Sequence, residues 1–217
     1  RSDVEKTFKE VNYQFSQVRR DHEVASVFDG LTYFDDLLTA DVVRNTRNVL
    51  DIINSRDYKL KSKGKLLYEG DSVQIIAYEV TAPTLSTTGS HAVKKYAGEI
   101  YIQLKDMAVL KNVVTLTASD FTELGRNLVP VNEAAKGDVQ MTITTNYKKL
   151  KSVYFLSGAT IEYSYKETDG KEVTGKMEYL TTRVDMDTSA VIEGRQYYEN
   201  IPMNENFWNR YSIYFEE

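Results

Sequence analysis

From Arg56 to about Asp185 the chain alternates apolar and polar residues with a period of two, the spacing that half-buried β-strands impose. Tyr58, Leu60, Ser62 and Gly64 alternate with Lys59, Lys61, Lys63 and Lys65. Over Ser72–Thr81, Val73, Ile75 and Ala77 alternate with Gln74, Ile76 and Tyr78. The stretch Tyr96–Leu104 pairs with Ala108–Ser119 as a hairpin around a Lys-Asp turn. Gly137–Lys148 sets Met141, Ile143 and Tyr147 against Gln140, Thr142 and Thr144, and Lys151–Glu167 pairs with Lys171–Asp185. Glu69-Gly70-Asp71 and Thr168-Asp169-Gly170 supply turns. Consecutive strands of this kind predict an antiparallel sheet with one face in water and the other in need of cover.

The material for that cover is expected at the N-terminus. Ser2 followed by Glu5 reads as a capping box, and Val4, Phe8, Val11, Phe15 and Val18 recur at three- and four-residue spacing. This predicts a helix over 3–27, and a second, less amphipathic one over Asp41–Ile53 with Val42, Val49 and Ile53 on one side. The fold class expected is therefore α+β: a curled antiparallel sheet, an open half-barrel, with N-terminal helices on its concave face. Residues 82–95 read as a polar loop and 121–136 as an irregular connection. No linker or repeat divides the chain, so one domain over 1–217 is expected, mainly helical to residue 55 and mainly strands beyond. The helix start at the first residues implies that any targeting segment lies upstream or has been removed.

Composition narrows the chemistry. The absence of cysteine removes thiol catalysis, Cys-ligated zinc and disulfides. A net charge of -5 disfavours nucleic acid, which needs a basic field. No apolar run approaches the ~20 residues of a helical membrane span. His22 and His91 have no second His at ligand spacing and read as surface residues. Asp185-Met186-Asp187-Thr188-Ser189 superficially matches an aspartate-nucleophile phosphatase motif, but it lies after antiparallel strands and reads as a turn. No phosphate loop, nucleophile elbow or metal motif occurs, and Asp35, Asp36 and the scattered glutamates do not mark out a two-carboxylate site. The expectation is no catalytic residue, no metal and no cofactor. The four lysines at 59, 61, 63 and 65 fall on one strand face, either contacting an anionic surface or protecting an edge strand.

The apolar strand residues are the candidate site. Tyr78, Ile100, Tyr101, Ile102, Met141, Ile143, Tyr163, Tyr165 and Tyr179 either line a ligand cavity or form the core. A rim of Tyr78, Tyr101, Tyr163 and Tyr179 would suit a lipid or glycolipid with a polar head. Phe207 and Trp208 are expected to anchor the C-terminus.

Tyr96-Ala97-Gly98-Glu99-Ile100-Tyr101-Ile102 with Met107-Ala108-Val109-Leu110-Lys111 resembles the hairpin of a domain common in Bacteroidota cell-envelope proteins, often found after carboxypeptidase-regulatory-like modules. Leu67-Tyr68-Glu69-Gly70 with Val73–Tyr78, and Asn206-Phe207-Trp208-Asn209-Arg210-Tyr211-Ser212-Ile213, are similar to its other motifs. Gln103 departs from the Asp usual at the turn. The resemblance covers roughly residues 40–217 and implies a fold similar to lipoprotein carriers, the LolA/LolB group. It implies a monomeric, non-enzymatic module of the periplasm or outer membrane that binds a hydrophobic or amphiphilic ligand, or an envelope protein. The alternatives are a glycan- or peptide-acting hydrolase of that compartment, or a purely structural interaction domain of a longer protein.

Overall fold

The computed structural model describes residues 41–44, 47–89, 93–118, 138–166 and 169–186, with Asn206. The chain divides into two compact units, Asp35–Arg183 and Arg1–Phe34 with Val184–Glu217. Nearly all described residues belong to the first. The expected helix over 3–27, both histidines, the connection at 121–136 and the Phe207-Trp208 anchor lie outside them.

Seven described strands form one antiparallel sheet: β1 (Tyr58–Tyr68), β2 (Asp71–Val80), β3 (Val93–Gln103), β4 (Ala108–Ala118), β5 (Val139–Leu150), β6 (Val153–Lys166) and β7 (Glu172–Leu180). Their order in the sheet is their order in the chain, with no described pairing of β1 to β7, so this is an open meander. The predicted alternation and turns are realised within a few residues. The loop at 82–95 holds a single helical turn, α1 (Leu85–Thr88), that the strand period could not announce. Thr84 and Thr87 cap it reciprocally, and Gly89 closes it in the left-handed region. The Tyr58 hydroxyl donates to the Thr87 carbonyl at 2.5 Å, tying this turn to the start of β1.

The open antiparallel sheet is as expected, but the described residues hold very little helix, α1 being the longest. Where helix was expected over Asp41–Ile53, the described residues make successive turns, with i→i+3 bonds from Arg44, Asp51 and Asn54. The cause lies in the side chains. Asp41 Oδ1 accepts from the amide of Val43 at 2.9 Å, Asn48 Oδ1 from Leu50 at 2.8 Å, and Asp51 Oδ1 from Ile53 at 2.9 Å. Each bond offers the backbone a local partner that competes with the helical one. Val42 is buried, but Ile53 is exposed, so the expected apolar side does not form.

Register assigns the faces, because residues directly opposite point the same way. One face carries Tyr78, Ile100, Leu116, Met141, Ile161 and Tyr163 and holds most of the buried apolar side chains. The other carries Glu79, Glu99, Thr115, Thr142, Glu162 and Lys176. The lysine series is split between them. The β1–β2 register skips Lys63 between Ser62 and Gly64, so Lys59 and Lys61 share the polar face while Lys65, opposite Gln74, moves to the other. A bulge of one residue reverses every side chain beyond it.

Candidate functional site

Of the nine candidate residues, eight share the apolar face: Tyr78, Ile100, Ile102, Met141, Ile143, Tyr163, Tyr165 and Tyr179. Tyr101 lies opposite Ile75 on the polar face, so its place on an inward rim is corrected. There its hydroxyl donates to Glu99 at 3.3 Å and Lys111 lies 5.8 Å from its ring centre.

Two glycines shape the apolar face. Gly98 sits directly opposite Tyr78, and Gly175 directly opposite Tyr163. A Cβ at Gly98 would stand 2.3 Å from the Val113 carbonyl oxygen and 2.5 Å from the Tyr78 ring, and one at Gly175 would stand 2.1 Å from the Tyr163 ring. Each tyrosine therefore lies across the strand beside it, in space that only glycine leaves. Tyr58, Tyr78 and Tyr96 then cluster with ring centres 5.9–6.5 Å apart, and Tyr163 stacks on Tyr165.

The hydroxyls on this face are held by polar groups within it. Tyr78 donates to Asn112 Oδ1 at 2.8 Å, and Tyr147 donates to Asp41 Oδ1 at 2.6 Å. Asn112 and Asp41 are themselves buried. Burial pushes the Tyr96 hydroxyl up to about 12, and burial, helped by Tyr165, does the same for Tyr163 at about 12. Burial first and the neighbouring Tyr96 second hold Tyr78 well above the ordinary phenol value. Burial and then Tyr96 raise Tyr58, while burial and then the Asp41 carboxylate raise Tyr147. A phenol that resists ionisation is a poor general base at neutral pH.

Two cavities are lined wholly by described residues, and three of the candidates reach them: Tyr78 the first, Met141 and Tyr163 the second. One of about 660 Å³ is lined by Lys59, Lys61, Ala77, Glu79, Glu99 and Thr115 among others. A second, of about 580 Å³, is lined by residues including Thr142, Glu162, Ser164, Thr174 and Lys176. Most of these side chains belong to the polar face, the one expected to lie in water. Both volumes lie within the ~300–1,000 Å³ typical of ligand pockets. Glu99, which lines the first, pairs with Lys63 at 3.9 Å. Among the described residues no group of three or more His, Cys, Asp or Glu is placed to hold a metal ion, and no helix is long and apolar enough to cross a membrane.

No family model matches the chain, and no curated protein or solved structure matches it either.

Proposed function

We propose that this is a non-enzymatic interaction module of the cell envelope, built to bind a partner protein on its polar sheet face. The reading keeps the protein-partner side of the envelope-domain resemblance and gives less weight to the lipid side. One observation carries it: Ile100 and Ile161 are buried in the protein itself, whereas the described cavities, though Tyr78, Met141 and Tyr163 reach them, take most of their lining from the face of lysines, glutamates and threonines. Alternating acids, bases and small hydroxyls suit an extended peptide, whose own amides and charges they can match. Native mass spectrometry of the protein purified from its host tests this. The expected result is a chain free of lipid, alone or with a protein bound. One lipid per chain would restore the carrier reading and overturn this one.

The hydrolase alternative has one observation in its favour, since Glu79 and Glu99 line the same cavity. Glu99 is already engaged by Lys63 and Tyr101, which favours a structural role for it.

A further inference from the structure

The β1–β2, β3–β4 and β5–β6 hairpins all turn at one end of the sheet, and their turns differ from the others. Among the described residues, the non-glycine residues at positive φ are Glu69, Met107 and Lys151, one in each of these turns. Gly70 in the first of these turns adopts the same conformation, and at the opposite end the β6–β7 turn and the close of α1 give it to glycine alone, at Gly170 and Gly89. Glycine adopts it without steric cost, so a side chain retained there is retained against the local preference. Met107 is 71% exposed at its turn, Leu67 is 76% exposed beside Tyr68 at the first, and Val153 is exposed at the third.

These turns are fastened into one platform. Gln103 Nε2 donates to Asp71 Oδ2 at 2.5 Å, joining the first two hairpins. The third continues past the β4–β5 ladder, which begins at Lys111 and Asn146. Its Tyr154 hydroxyl donates to Asp106 Oδ2 at 2.7 Å and lies against Oε1 of Gln103. Lys149 pairs with the same Asp106 carboxylate and stands 5.3 Å from the Tyr154 ring centre. Lys65, Lys105, Lys148, Lys149 and Lys151 lie in or within a few residues of these turns, with Glu69, Asp71 and Asp106. Asp106 and Lys149 neutralise each other, so Lys65, Lys105, Lys148 and Lys151 stand against Glu69 and Asp71. In a chain of net charge -5, this end is locally cationic.

We propose that this hairpin platform docks on an anionic lipid bilayer, with Leu67, Tyr68, Met107 and Val153 entering the interface and the lysines meeting the headgroups. Exposed apolar tips with lysines in the same turns match a surface that is apolar within and negative at its boundary. This inference is independent of the peptide-binding role of the polar face.

Sedimentation of the whole chain with vesicles of phosphatidylcholine, with and without phosphatidylglycerol, tests it. Binding should require the anionic lipid and weaken as salt rises. Lys105→Glu combined with Lys151→Glu should weaken it at least about tenfold, while Lys171→Glu, at the opposite end, should leave it unchanged. Met107→Gly separates docking from folding. It should raise the melting temperature by relieving the left-handed residue, yet weaken vesicle binding by about tenfold. Equal binding to neutral and anionic vesicles, binding to neither, or equal losses from Lys171→Glu and the Lys105/Lys151 pair would each overturn the proposal. So would a Met107→Gly variant that binds as tightly as the parent chain.

Discussion

Single residues decide how the tyrosines sit. At Gly98 an added methyl meets the Val113 carbonyl as well as the Tyr78 ring, and a backbone atom cannot swing aside. At Gly175 the three nearest atoms all belong to the Tyr163 side chain. Gly98→Ala is therefore expected to cost about 3 kcal/mol and Gly175→Ala about 1 kcal/mol, the range found for overpacking a filled site. Urea denaturation of the two variants checks the order, and equal losses would show that Tyr163 is as immobile as backbone. The same residues set the response to alkali. Tyr78, Tyr96 and Tyr163 have folded-state pKa values above that of an unfolded tyrosine near ~10. Between those values the unfolded chain loses protons that the folded chain keeps, so stability falls as pH rises. It should be level below about pH 10 and fall steeply toward about 12. Phenolate absorbance should then rise together with the loss of sheet signal; ionisation of these rings in an intact fold would contradict the burial.

At the scale of elements, the strands were legible because alternation and turn chemistry agree along most of the described chain. What misled the reading was local. Val42, Val49 and Ile53 have helical spacing, but Asp41, Asn48 and Asp51 each accept a bond from the amide two residues on, and this competing signal was already present in the sequence. Ile100, Tyr101 and Ile102 are consecutive in a strand, so they could never all face one cavity, and Tyr101 is the one turned away. The lysine ladder failed at Lys65 because the bulge at Lys63 shifts the register, and Gly64, at φ 110°, was its one visible sign. Tyr78, Met141 and Tyr163 reach the described cavities, but the polar-face residues that make up most of the lining had no sequence signal. Alternation separates two faces without telling which one keeps open space.

In the molecule as a whole, every described strand pairs with its neighbours in sequence, from β1 to β7. A meander has a mechanical consequence. Asp57 and Lys171 flank opposite edges of the described sheet at the same end, so tension between them acts across its strands. The ladder hydrogen bonds lie along that direction and are loaded one after another, as in a peeling tape. Tension between Asp57 and Thr181 runs obliquely, because β7 ends at the far end of the sheet, and it loads many bonds together. The chain contains no cysteine, so paired thiols at these positions would give unambiguous handles for an optical trap. The first pair should open the sheet at the lower force and in smaller steps, and equal forces would contradict the sequential order of the strands. A domain of this kind resists tension along its strands and yields, strand by strand, to tension across them.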